Sequence, residues 1–157
     1  MNKQNKGFTL IEILIVIGII AILAAVVLIA INPARQFAQA NNSQRSSNVN
    51  TLLNAVGQKL ADTKGLLSGC ASMTPSTVYT IADRTPDLVD ELDLAECLYP
   101  TYIAAGLPFD PTDADAGWTD KDNYNTGYTI STDGSRYTVS APSTQLTPDV
   151  PVITVTR

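Results

Sequence analysis

Hydrophobic and polar positions are distributed very unevenly along this chain. Residues 8–31, FTLIEILIVIGIIAILAAVVLIAI, hold a single charge, Glu12, in 24 positions. As a helix this run is about 36 Å long, enough to cross a bilayer with some tilt. Beyond it the pattern changes. Val49, Leu52, Leu53, Val56 and Leu60 recur at three- and four-residue steps and predict one apolar helical stripe. Lys64 and Gly65 read as its C-terminal stop. The pattern therefore predicts a helix from Phe8 to about Lys64, near 85 Å long, interrupted or kinked at Pro33 and slightly weakened at Gly18. Residues 41–48, NNSQRSSN, are nearly all polar and read as a neck between apolar segment and head.

The rest alternates more than it repeats. TVYTI (77–81) predicts a short strand, and residues 85–98 a short helix with Thr85 as N-cap and Pro86 at its first position. GYTISTDGSRYTVS (127–140) predicts a hairpin turning at Asp133-Gly134. VPVITVT (150–156) adds a C-terminal strand, with Pro151 suggesting an edge. One helix on a small antiparallel sheet gives an α+β fold. The expected organisation is a leader (1–7), a membrane helix (8–32) and a soluble head (33–157). The head divides into helix (33–66), connecting region (67–105), β meander (106–142) and C-terminal strand or tail (143–157).

Charge and composition narrow the function. The formal charge is −5 and histidine is absent. There is no basic surface for nucleic acid. The commonest general base and metal ligand is missing, and no phosphate loop or nucleophile constellation is present, so the chain reads as a non-enzyme. Lys3 and Lys6 before the apolar run place the N-terminus in the cytoplasm and the polar part outside. The run is too long for an ordinary cleaved secretory signal. An uncleaved anchor explains its length and orientation but not Glu12. A charge at mid-bilayer costs about 2.5–3.5 kcal/mol on insertion scales, and such residues usually have a partner and a role.

The residues ahead of the run supply one. MNKQNKG is short, polar and positive, and GFTLIE follows. This resembles the processing site of type IV prepilins and pseudopilins, the type III signal class. The resemblance implies cleavage between Gly7 and Phe8 on the cytoplasmic side, retention of the apolar segment and N-methylation of Phe8. It further implies that Glu12 meets the terminal ammonium of an adjacent subunit during assembly. Two groups costly in a dry core become tolerable when paired, so Glu12 would set subunit stagger. Removal of residues 1–7 takes the formal charge from −5 to −7. LYPTYIAAGLPFDP (98–111) and the hairpin after it resemble, more loosely, the heads of small pseudopilins and pilins. The implied partners are further copies in a helical filament, minor pilins or pseudopilins, a prepilin peptidase and methylase, a platform membrane protein, an assembly ATPase and the cytoplasmic membrane. The implied location is the inner membrane, then a surface pilus or an envelope pseudopilus. A signal-anchored extracytoplasmic binding domain is the alternative.

Three features stay open at this level. Asp110, Asp113, Asp115, Asp120 and Asp122 form an acidic loop whose composition suits calcium, against a merely soluble loop. Its spacing departs from an EF-hand, with Gly117 one residue early and Tyr124 where a closing glutamate belongs. Cys70 and Cys97, facing an oxidising exterior, form a disulfide or remain two buried thiols. Trp118 and the six tyrosines read as core and sheet packing.

Overall fold

Where proline meets an apolar run, the backbone has to break, and it does so at Asn32. The computed structural model describes residues 7–67, 69–70, 72–83, 90–146 and 150–157. Helix α1 spans Leu10–Ile31 and helix α2 spans Pro33–Asp62. Asn32 between them has φ 46° and ψ 78°, a left-handed conformation. Pro33 disfavours helical backbone at the residue before it, and asparagine tolerates the left-handed region. Proline is also well suited to the first position of a helix, and Asn32 Oδ1 accepts from Arg35 N at 3.3 Å. The helix expected from Phe8 to Lys64 is thus interrupted at Asn32, next to the expected break at Pro33, and forms two helices. The chain divides into two compact units, Met1–Phe37 and Ala38–Arg157, with the boundary inside α2.

In the first unit, residues 10–30 are all exposed. Leu10–Ala30 has a mean hydropathy of 3.5, long and apolar enough to cross a membrane.

In the second unit, α2 buries Val49, Leu52, Leu53 and Val56 of the predicted stripe together with Ala55, while Leu60 is only partly buried against the core. It ends where Thr63 donates its hydroxyl to the Lys59 carbonyl at 2.6 Å. Lys64 and Gly65 take φ 57° and 91°, and Gly65 N donates to the Leu60 carbonyl at 2.8 Å.

The sheet contains β1 (Val78–Ala82), β2 (Glu91–Leu92), β3 (Gly117–Asp120), β4 (Asn123–Thr132), β5 (Tyr137–Ala141) and β6 (Ile153–Thr156). The order is β2-β1-β4-β5-β6, with β3 on the first half of β4. Among the described residues only the β1–β2 pair is parallel. Strict alternation puts Tyr124, Thr126, Tyr128, Ile130 and Thr132 of β4 inward. Their apolar members join the α2 stripe, Ile81, Val139 and Ala141 in one core. This is the α+β, pilin-like architecture.

Two local expectations change, and the C-terminal strand is shorter than expected. Of the helix expected over 85–98, the described residues form α3 at Ala95–Leu98, while Glu91–Leu92 pairs with Thr80 and Ile81 as a strand. Thr85 and Pro86 lie outside the described residues, as do Lys3 and Lys6. The hairpin does not turn on two residues. Thr132 pairs with Tyr137, leaving residues 133–136 as the connection. The Asp133 carboxylate accepts from Ser135 N and Arg136 N, both at 2.7 Å, and Gly134 has φ 94°. These two backbone donors hold the Asp133 carboxyl below the usual range. β6 starts two residues after Pro151 and is an edge strand.

Cys70 and Cys97 are joined, their Cα atoms 5.2 Å apart, tying the segment after α2 to α3. Trp118 packs between Tyr99 and Tyr124, with ring centroids 5.4 and 5.3 Å away. Gly106 lies under that indole with φ 90°, and a Cβ there would come within 2.4 Å of the ring. Gly106→Ala should therefore destabilise the head by about 1–3 kcal/mol, from overpacking plus a disfavoured backbone. Denaturant unfolding followed by tryptophan fluorescence measures this, and an unchanged midpoint would contradict it.

Candidate processing segment and buried head anchor

At the N-terminal end of α1, the sequence Thr9-Leu10-Ile11-Glu12 forms a reciprocal cap. Glu12 N donates to Thr9 Oγ1 at 3.3 Å. Glu12 Oε2 accepts from Thr9 N at 2.8 Å and from Thr9 Oγ1 at 2.9 Å. Two helix-end donors without intrahelical partners are thus satisfied, and the carboxylate sits where the helix dipole favours negative charge. Phe8 beside it is 84% exposed, and Gly7 has open space around its Cα. Sequence reasoning singled out Gly7, Phe8 and Glu12 but overlooked Thr9. A threonine three residues before a glutamate, ahead of an apolar run, was the available signal.

A second constellation lies in the head, on the stretch expected to be a neck. Asn42, Arg45 and Asn48 are buried, while Ser43, Gln44 and Ser47 on the other face of α2 are exposed. Arg45 is 0% exposed and grips Asp110 with both arms. Nε to Oδ2 is 2.6 Å and Nη2 to Oδ1 is 2.9 Å. Nη1 donates to Asn42 Oδ1 at 2.9 Å, and Nη2 also reaches the Thr112 hydroxyl. Asp110 Oδ1 further accepts from Thr112 N at 2.9 Å and Asp113 N at 3.2 Å.

The flanking asparagines extend the anchor in both directions. Asn48 Nδ2 donates to the Phe109 carbonyl and the Tyr128 hydroxyl, each at 2.9 Å. Asn42 Nδ2 donates to the Gln145 carbonyl at 2.7 Å, and its Oδ1 accepts from Gln145 N at 3.0 Å. Among the described residues no buried side-chain nitrogen or oxygen lacks a partner. Burial pushes the Asp110 carboxyl up, but hydrogen bonds from Arg45 and Thr112 and the guanidinium charge outweigh it, and its pKa falls below the usual range. Burial pushes the Tyr128 hydroxyl up to about 12.

Asp110 was expected in a calcium set, and the structure gives it to an arginine instead. The other members are dispersed. Asp113 Oδ1 accepts from Asp115 N at 3.0 Å, and Asp120 Oδ1 from Asp122 N at 2.9 Å. Asp122 pairs with Lys121 at 2.5 Å. Among the described residues no three carboxylate, thiol or imidazole groups converge as metal ligands. Trp118, Tyr99, Tyr124 and Tyr128 pack in or against the core. The Tyr124 hydroxyl accepts from Leu94 N at 2.9 Å and Ala95 N at 3.1 Å, and donates to Asp93 at 2.8 Å.

Compared with known families, residues 2–28 match the model of the prokaryotic N-terminal methylation motif. No curated protein and no solved structure matches the chain.

Asp110→Asn leaves the Arg45 charge buried without its counter-charge and should cost about 3–5 kcal/mol. The double substitution Arg45→Met with Asp110→Leu should recover part of that loss, since no unpaired charge stays buried, but not all of it, since Thr112 N and Asp113 N lose the acceptor that Asp110 Oδ1 gives them. Urea unfolding of the three proteins checks both statements. The pH dependence follows from the sign of the shift. A carboxyl depressed by folding contributes stability above its unfolded pKa, about 3.9, and loses it as pH falls through the folded value. Thermal melts should show the natural chain losing more stability below about pH 4 than the Met–Leu variant does.

Proposed function

We propose, from the premise that this chain carries the N-terminal signal of a type IV pilin-like prepilin, that it is a structural subunit of a pilus- or pseudopilus-like filament. The observation that carries this reading is the Gly7-Phe8 junction and Glu12 at the head of an exposed, 21-residue apolar span, within the stretch matching the methylation motif.

A prepilin peptidase cuts between Gly7 and Phe8, removes Lys3 and Lys6, and leaves a new α-amino group that is methylated on Phe8. Until assembly, α1 holds the subunit in the inner membrane with its start in the cytoplasm. Assembly then exchanges lipid for neighbouring helices around α1. In that dry setting Glu12 meets the terminal ammonium of an adjacent copy. Misregistered copies would leave both charges unpaired, which sets the stagger. Motive force comes from a separate ATPase acting through a platform membrane protein. The chain itself performs no chemistry.

The test has two arms, both read in the native host. For Gly7→Val, intact mass should show a product that keeps its first seven residues, whereas the natural chain starts at methylated Phe8. For Glu12→Ala, the product should be trimmed normally but yield at least about tenfold fewer filaments by sedimentation and electron microscopy. A natural chain that begins at Met1, or full assembly of the Glu12→Ala variant, would overturn the proposal.

A further inference from the structure

The chain leaves its apolar span through an amphipathic turn. Leu10–Ala30 is 21 residues long, about 32 Å of helix against a hydrocarbon layer of about 30 Å. The headgroup layer beyond it adds about 5–8 Å on each side, which residues 31–35 cross at about 1.5 Å each. Asn32, in its left-handed conformation, ends α1 within that layer and lets α2 take an axis of its own. Pro33–Phe37, the start of α2, belongs to the same compact unit as the span.

Along this start the two kinds of side chain separate. Phe37 follows Pro33 by four positions and Ala34 by three, which puts these three on one face and Arg35 and Gln36 on the other. All five are exposed, Phe37 at 71%, and none belongs to the hydrophobic core. Helical side chains lean toward the N-terminus, so Phe37 covers the Pro33–Ala34 turn, back toward the span. Arg35 is the one charge in residues 13–44. Its guanidinium has no partner among the described residues. A ring on one side of a turn and a cation on the other call for a boundary, with hydrocarbon below and phosphate above. A uniform apolar pocket would strand the charge, and water would leave the ring uncovered. The planar fork of arginine suits phosphate oxygens bidentately.

We propose that Pro33–Phe37 is an interfacial segment docked on the phospholipid surface where the span ends, on the side opposite Phe8. Pro33, Ala34 and Phe37 lie at the acyl boundary, and Arg35 holds lipid phosphate. An anionic leaflet strengthens the contact through Arg35. Docking of this kind fixes the depth of the span and the height at which the chain leaves the membrane. The proposal rests on the reading of α1 as a membrane span, but not on filament formation.

The test uses the full chain in vesicles of phosphatidylethanolamine and phosphatidylglycerol, with Trp118→Phe so that an introduced tryptophan is the only one. Phe37→Trp and Ala34→Trp should be quenched by lipids carrying a nitroxide near the headgroup. Gln36→Trp, on the opposite face, should instead be quenched by iodide from the water. Adding Arg35→Glu to Phe37→Trp should raise the iodide-accessible fraction at position 37 about fivefold. If Trp118→Phe disturbs the head, the same substitutions in the natural chain are read as differences from its spectrum. Iodide quenching at positions 34 and 37 as strong as at 36, or Arg35→Glu without effect, would overturn the inference. Shielding from both quenchers that vanishes when lipid dilutes the chain would overturn it in favour of contact between copies. A chain that alkaline carbonate washes off the vesicles would sink the span reading beneath it. A chain that stays in the vesicles with position 37 in water sinks this inference alone.

Discussion

An arginine with no access to water cannot stand alone. Arg45 needs a counter-charge and partners for its guanidinium donors, and the chain supplies them from Asp110, 65 residues away, with Asn42 and Thr112 completing the set. The bidentate geometry admits one rotational setting of α2 and one position of the 107–112 segment. A register slip of one helical residue would leave two buried charges apart, at a cost of several kcal/mol. The pair is thus better understood as specifying how the head assembles than as adding net stability. Its neighbours enforce the same choice, because Asn48 reaches both the Phe109 carbonyl and the Tyr128 hydroxyl.

With that rotation set, the rest of the head follows by ordinary packing. The buried side of α2 changes character along its length, from Asn42, Arg45 and Asn48 to Val49, Leu52, Leu53 and Val56. The polar half is clamped by hydrogen bonds to loops, and the apolar half lies in the core with the inward residues of β1, β4 and β5. Gly106 permits the indole of Trp118 to lie flush against the chain. The Cys70–Cys97 bridge shortens the reach of the connecting region between α2 and the sheet.

The same rule, that a charge in apolar surroundings must be answered, acts at the other end of the chain by different means. Glu12 is answered locally, by the backbone and hydroxyl of Thr9. Local capping asks nothing of the tertiary fold, so this carboxylate has its partners in a single copy. Exchange of such a weak local partner for a charged one is energetically open in a way that dismantling the Arg45 anchor is not.

This difference separates what was legible in the sequence from what was not. The α+β class, the 24-residue apolar run, most of the Val49–Leu60 stripe, the strand near Tyr79 and the hairpin over 127–140 all rest on periodicity, which neighbouring residues carry among themselves. The Gly7-Phe8-Glu12 motif is equally local. The 41–48 stretch was misread as a neck because polar residues at helical spacing look like a solvated face until their partner is known. Asp110 looked like one of five interchangeable loop acids for the same reason. Only the tertiary structure decided that it faces Arg45, since the contact joins residues 65 positions apart and no short-range pattern encodes it.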